Sequence, residues 1–99
     1  MNTKTLIAVA LTDWCGWCKR LDQDTYTDVE VRKLAQSFVC VKVNGEQRRD
    51  LVEQYGVSGY PTIVFLNSKL MEVKRVGGYQ PPTRFVSSMQ EALNASGSQ

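Results

Sequence analysis

An apolar run, Leu6 to Leu11, leads almost directly into Trp14-Cys15-Gly16-Trp17-Cys18-Lys19. That junction constrains the chain more than any other stretch. Leu6 to Leu11 is apolar at every position, which suits a strand covered on both faces of a sheet. The segment after Cys15 places Leu21 one turn beyond Cys18 and reads as a helix to about Asp24. Cys15 then stands where a strand gives way to a helix, with Cys18 one turn inside. A thiol at a helix amino end faces unpaired backbone N–H groups and the positive end of the helix dipole, which favours its thiolate. A second sulfur three residues on lies on the same face and can close a small disulfide ring. A pair so placed can cycle between dithiol and disulfide.

The remaining composition narrows the chemistry. The chain has three cysteines and no histidine. An odd count fits one redox pair and a spare thiol, Cys40, better than a disulfide-stapled mini-domain. Absence of imidazole removes Cys-His hydrolysis and histidine-containing zinc sites. Three thiols fall short of the four ligands of a structural zinc site, so no metal is expected. Twelve basic against ten acidic residues give a net charge of +2, with no basic cluster beyond Arg48-Arg49 or Lys74-Arg75. Nucleic acid is therefore not an expected partner. The longest apolar run is six residues, far below the roughly twenty needed to span a bilayer. The chain is expected to be cytoplasmic if complete and periplasmic if it is a mature or excised domain.

Ninety-nine residues form one domain, with the core over about 5–94 and a polar tail over 95–99. Thr5 to Leu11 is the first strand. Thr27 and Glu30 have the spacing of a capping box and open a second helical piece to about Ser37. Phe38 to Asn44 is a second strand, in which Cys40 is expected as a small buried packing residue. Glu46 to Tyr55 is a helix ended by Gly56. Ile63 to Leu66 is a third strand and Leu70 to Val76 a half-exposed fourth. A last helix follows Pro81-Pro82, with Phe85, Met89, Ala92 and Leu93 at helical spacing. The order is β-α-β-α-β-β-α in an α/β protein. The first three strands are expected to be parallel through right-handed crossovers, and the fourth antiparallel by a hairpin.

Three stretches together resemble the thioredoxin superfamily: Trp14-Cys15-Gly16-Trp17-Cys18-Lys19, Gly59-Tyr60-Pro61-Thr62, and Gly77-Gly78 before the last helix. Their spacing fits as well, so the likeness covers about Leu6 to Leu93. The continuation Cys18-Lys19-Arg20-Leu21-Asp22 is similar to thioredoxin-like disulfide reductase domains. The resemblance implies a three-layer α/β/α fold around a mixed four-stranded sheet. It implies Cys15 as the exposed attacking thiol, Cys18 as the resolving thiol, and a cis Tyr60–Pro61 peptide beside the pair. Trp14, Gly16, Trp17, Tyr60 and Pro61 then line the substrate site. The family's buried Asp, six residues ahead of the first Cys, is here Val9, and the central dipeptide is Gly16-Trp17 rather than Gly-Pro. Cys18 therefore lacks the usual helper in losing its proton.

The activity implied is that of a thiol–disulfide oxidoreductase that reduces protein disulfides. Lys19 and Arg20 are expected to raise the thiolate fraction at Cys15 and Asp13 to lower it, while Lys42, freed of the missing Asp, is expected either to point elsewhere or to bias Cys18 directly. No cofactor beyond the Cys15–Cys18 disulfide is expected. The partners expected are protein disulfides or dithiols and an upstream thiol reductase, with the chain a monomer. Two other readings stand beside this one. One is a redox-inert peptide-binding module using the groove near Pro61. The other is a disulfide oxidase or isomerase.

Overall fold

The computed structural model describes residues 4–97. Strand β1 (Thr5–Leu11) is followed by helix α1 (Gly16–Arg20), which continues as a π-helical turn over Leu21–Thr25. Helix α2 (Val29–Ala35), strand β2 (Phe38–Asn44), helix α3 (Arg49–Gln54), strands β3 (Thr62–Leu66) and β4 (Glu72–Gly77), and helix α4 (Pro82–Gly97) complete the order. The sheet runs β2-β1-β3-β4. Its two faces are covered by different helices. Ile7 and Val9 face Val31 of α2 and Phe85 and Met89 of α4. Ala8, Ala10, Val64 and Leu66 face Leu51, Val52 and Tyr55 around α3. The result is the three-layer α/β/α arrangement. Leu21, Ile63, Phe65, Phe85 and Met89 are fully buried, and the expected inner face of α4 is the observed one.

Only β1 and β2 are parallel; β3 is antiparallel to β1, pairing Ala10 with Thr62 and Leu6 with Leu66. This corrects the expectation of three parallel strands, and length is the reason. A parallel β3 would require the chain to travel back along the whole sheet after β2. The six residues of α3 span only about 9 Å, whereas seven strand residues cover roughly 23 Å. The chain instead leaves and re-enters the sheet at one end. That end holds Cys15, so the reversed strand brings Tyr60 and Pro61 to the motif. The β3–β4 hairpin returns to the same level, pairing Thr62 with Gly77.

Local differences have equally plain causes. Asp28, not Thr27, caps α2: its carboxylate accepts from the backbone N–H of Glu30 and Val31 at 3.0 and 3.2 Å. Thr27 instead donates its hydroxyl to the Gln23 carbonyl, because the π-turn carries the chain one residue further before α2 begins. Residues 46–48 form a turn rather than helix, with the Asn44 side chain accepting from the N–H of Glu46 and Gln47. Leu70 belongs to the hairpin turn, at φ 65°, so β4 starts at Glu72. Cys40 is exposed rather than buried, because β2 is an edge strand.

Candidate active site

Cys15 has extended backbone angles (φ −79°, ψ 107°) and is the N-cap of α1. Its Sγ accepts a hydrogen bond from the Cys18 backbone N–H at 3.1 Å. Cys18 lies one turn inside, and the two are joined as a disulfide with Cα atoms 5.3 Å apart. The β1 strand ends on a tight connection, closed by Cys15 N–H donating to the Thr12 carbonyl. In this oxidised state Cys15 is only 4% exposed and Cys18 7%. The expected exposure of Cys15 is therefore not found, since the closed ring folds both sulfurs against the start of the helix.

Three loops surround the pair. The Tyr60–Pro61 peptide is cis, and the Pro61 carbonyl accepts from the Gly78 N–H at 2.8 Å. Tyr60 packs over Gly45 so closely that any Cβ at position 45 would collide with its ring. Trp14 meets the Tyr60 ring edge-on at 6.0 Å between centroids, and its indole N–H donates to Glu46 Oε2 at 2.8 Å. Trp17 lies against Tyr79, with centroids 5.5 Å apart. Both tryptophans are more than half exposed. Each is thus held by a loop tyrosine although water covers much of its surface. Gly16 has open space above its Cα.

The charged neighbours are mostly committed to each other. Arg20 binds Asp24 through Nε and Nη2, at 3.0 and 2.9 Å, and holds the Asp24 carboxyl below its ordinary range. The Lys42 ammonium is engaged by Asp22 at 3.0 Å and stands 5.8 Å from the Tyr26 ring centre. Lys42 is thereby drawn to surface partners, the first of its two expected alternatives, rather than to Cys18. Asp13 accepts from the Asn44 side-chain amide at 3.3 Å, which tethers the motif loop to the end of β2. Lys19 is an exposed cation in the last turn of α1. Among the described residues the buried polar side chains are threonines and serines only, and Val9 is part of the apolar core. None of the described residues places a buried carboxylate behind the pair.

The family model of a thioredoxin-like domain matches residues 1–93. The chain belongs to that family. This thioredoxin-like domain is 32% identical over 85 residues to the thiol:disulfide interchange protein DsbD of Pasteurella multocida, covering 80% of the chain and 15% of that protein. It is 33% identical over 84 residues to a probable protein disulfide-isomerase A6 of Medicago sativa, covering 85% of the chain and 22% of that protein. The chain thus spans less than a quarter of the length of either relative. Among solved structures, a thioredoxin from Thermus thermophilus superposes with a TM-score of 0.85 at 25% identity, covering 96% of this chain and 78% of that one.

Three residues of the domain's site were not singled out from the sequence, Glu46, Tyr79 and Gly45, and Arg20, expected to favour the Cys15 thiolate, is engaged by Asp24 instead. Gly45 and Tyr79 each sit next to a loop glycine or asparagine, at Asn44-Gly45 and Gly77-Gly78-Tyr79. Gly78 has φ 89°, a turn that throws Tyr79 back toward α1. The glycine pairs were legible as turns, but what their neighbours would touch was not.

Proposed function

We propose that this domain reduces protein disulfides, with Cys15 as the attacking thiol and Cys18 as the resolving one. It is a thiol–disulfide oxidoreductase. In the first step the Cys15 thiolate attacks one sulfur of a substrate disulfide; a Cys15–substrate bond forms and the other substrate sulfur leaves as a thiolate. In the second, the Cys18 thiolate attacks Cys15 Sγ and the remaining substrate sulfur leaves. Two electrons have moved to the substrate, and Cys15–Cys18 is oxidised. An upstream dithiol reverses the change.

One observation carries this assignment of roles. Cys15 Sγ, at the N-cap, accepts the Cys18 amide N–H, a donor equally suited to a thiolate. The cis Tyr60–Pro61 segment and the two anchored tryptophans supply a surface on which an extended peptide can lie beside that sulfur. Insulin-disulfide reduction tests the activity, and a glutathione titration tests its direction. We expect a single two-electron transition near thioredoxin's potential, roughly −270 mV; a value near −120 mV would mark an oxidant instead. Identical alkylation and fluorescence of oxidised and reduced protein would identify a redox-inert binding module.

A further inference from the structure

Trp17 stands between the two cysteines, 57% exposed, and belongs to no part of the hydrophobic core. An indole in that setting ordinarily samples several rotamers. Here it is held on two sides. The Tyr79 ring lies 5.5 Å away, tilted by 40°, and the Arg20 guanidinium stands 6.0 Å from the Trp17 centroid and 5.8 Å from that of Tyr79. Tyr79 is itself fixed at both ends. Its hydroxyl donates to Asp24 Oδ2 at 3.1 Å, the same oxygen that takes both Arg20 donors. Its backbone neighbours are tied as well: Gly78 N–H to the Pro61 carbonyl, and the Gln80 carbonyl to the buried Thr25 hydroxyl at 2.6 Å.

We infer that Tyr79, with Asp24 and Arg20, positions Trp17 as a fixed aromatic wall, and that the site favours disulfides whose cysteine is flanked by an aromatic or large aliphatic residue. The inference rests on the oxidoreductase reading above and adds a substrate class to it. A pre-fixed indole presents a large apolar area without losing rotamer freedom when the partner arrives. The charge beside it points to an apolar partner. Arg20 is already engaged by Asp24 through two donors, so the wall itself presents an aromatic face, and the exposed Lys19 is the cation that a Glu flank probes. Tyr60, one residue before the Gly78-bonded Pro61, pairs edge-on with Trp14. The motif is therefore joined to the two adjoining loops by one aromatic pair at each tryptophan.

The test uses disulfide-linked peptides that differ only in the residue beside cysteine: Phe, Ala or Glu. For the wild-type protein, kcat/KM should be roughly three- to tenfold higher for Phe than for Ala, the scale of one aromatic contact, with Glu no better than Ala. Tyr79→Ala and Trp17→Ala should each remove most of that preference, chiefly through KM. Because the two act as a unit, the double variant should lose no more than either single one. Tyr79→Phe keeps the ring and drops only the Asp24 bond, and should retain an intermediate preference. Tyr79→Ala should also narrow the Trp17 indole proton resonance, as the ring gains rotational freedom. Equal rates for Phe and Ala peptides in the wild type, a preference for Glu, or an intact preference in Tyr79→Ala would overturn the inference while leaving the oxidoreductase reading standing. Failure of the wild-type protein to reduce any of the peptides would overturn both.

Discussion

Cys15 and Cys18 are three residues apart in one helical turn, yet their surroundings differ in kind. Cys15 sits at the N-cap, where its sulfur accepts a backbone N–H and faces the positive end of a helix. Cys18 lies one turn inside, ahead of the apolar core of Val9 and Leu21, with no buried carboxylate among the described residues to take its proton. The difference teaches which half of the exchange the scaffold assists. With the roles proposed above, attack on substrate would draw on a fixed donor, whereas resolution would rely on Cys18 losing its proton without help.

Removing the favoured sulfur should have the largest effect. Cys15→Ser is expected to lower insulin reduction by more than about a thousandfold, the loss typical of deleting a nucleophile; a variant retaining a tenth of the activity would break the comparison. Supplying the missing base comes next. Val9→Asp should speed release of reduced substrate from the mixed disulfide at neutral pH, by up to about a hundredfold, the lower range for a positioned general base. The same change should lower Tm, because a charge enters an apolar core. In the wild type, release should rise with pH through the neutral range and in Val9→Asp it should flatten; stopped-flow tryptophan fluorescence follows both.

The third thiol offers a smaller contrast. Cys40 is exposed on an edge strand, and partial burial pushes its thiol up. In reduced protein at neutral pH, Cys15 should alkylate roughly tenfold faster than Cys40, since the thiolate is the reactive form. Peptide mapping after brief iodoacetamide exposure reads the ratio. The smallest effect concerns pH at the Trp17 wall. Asp24 is held below its ordinary value of 3.8, first by the Arg20 hydrogen bond. A depressed carboxyl keeps its partners above that value and releases them only as the pH falls through its lower, folded value. The Trp17 indole resonance should therefore hold steady down to about pH 4 and shift only below it.

Much of this arrangement was legible in the residues. The apolar run into Cys15 marked the first strand, the spacing of Phe85, Met89 and Ala92 marked the inner face of α4, and three short stretches marked the family. The direction of β3 was not legible, because a short apolar run such as Ile63 to Leu66 reads alike in either direction. Only the shortness of α3 shows that the chain turns back at the same end. Cys40 looked like core because its strand is apolar, but apolar composition does not reveal that a strand lies at a sheet's edge. Glu46 and Tyr79 reach the motif across 32 and 62 residues of chain, through side chains on loops, and no local pattern encodes such contacts.

The most direct measurement is to trap the intermediate. Cys18→Ser protein, mixed with a disulfide peptide and digested under acid, is analysed by mass spectrometry. The account predicts a stable peptide adduct on Cys15, formed at close to the wild-type rate of attack. In the reciprocal Cys15→Ser protein the pair's remaining thiol, Cys18, should capture little. An adduct that builds up on Cys18 in that protein, with none on Cys15 in the first, would reverse the roles and contradict the account.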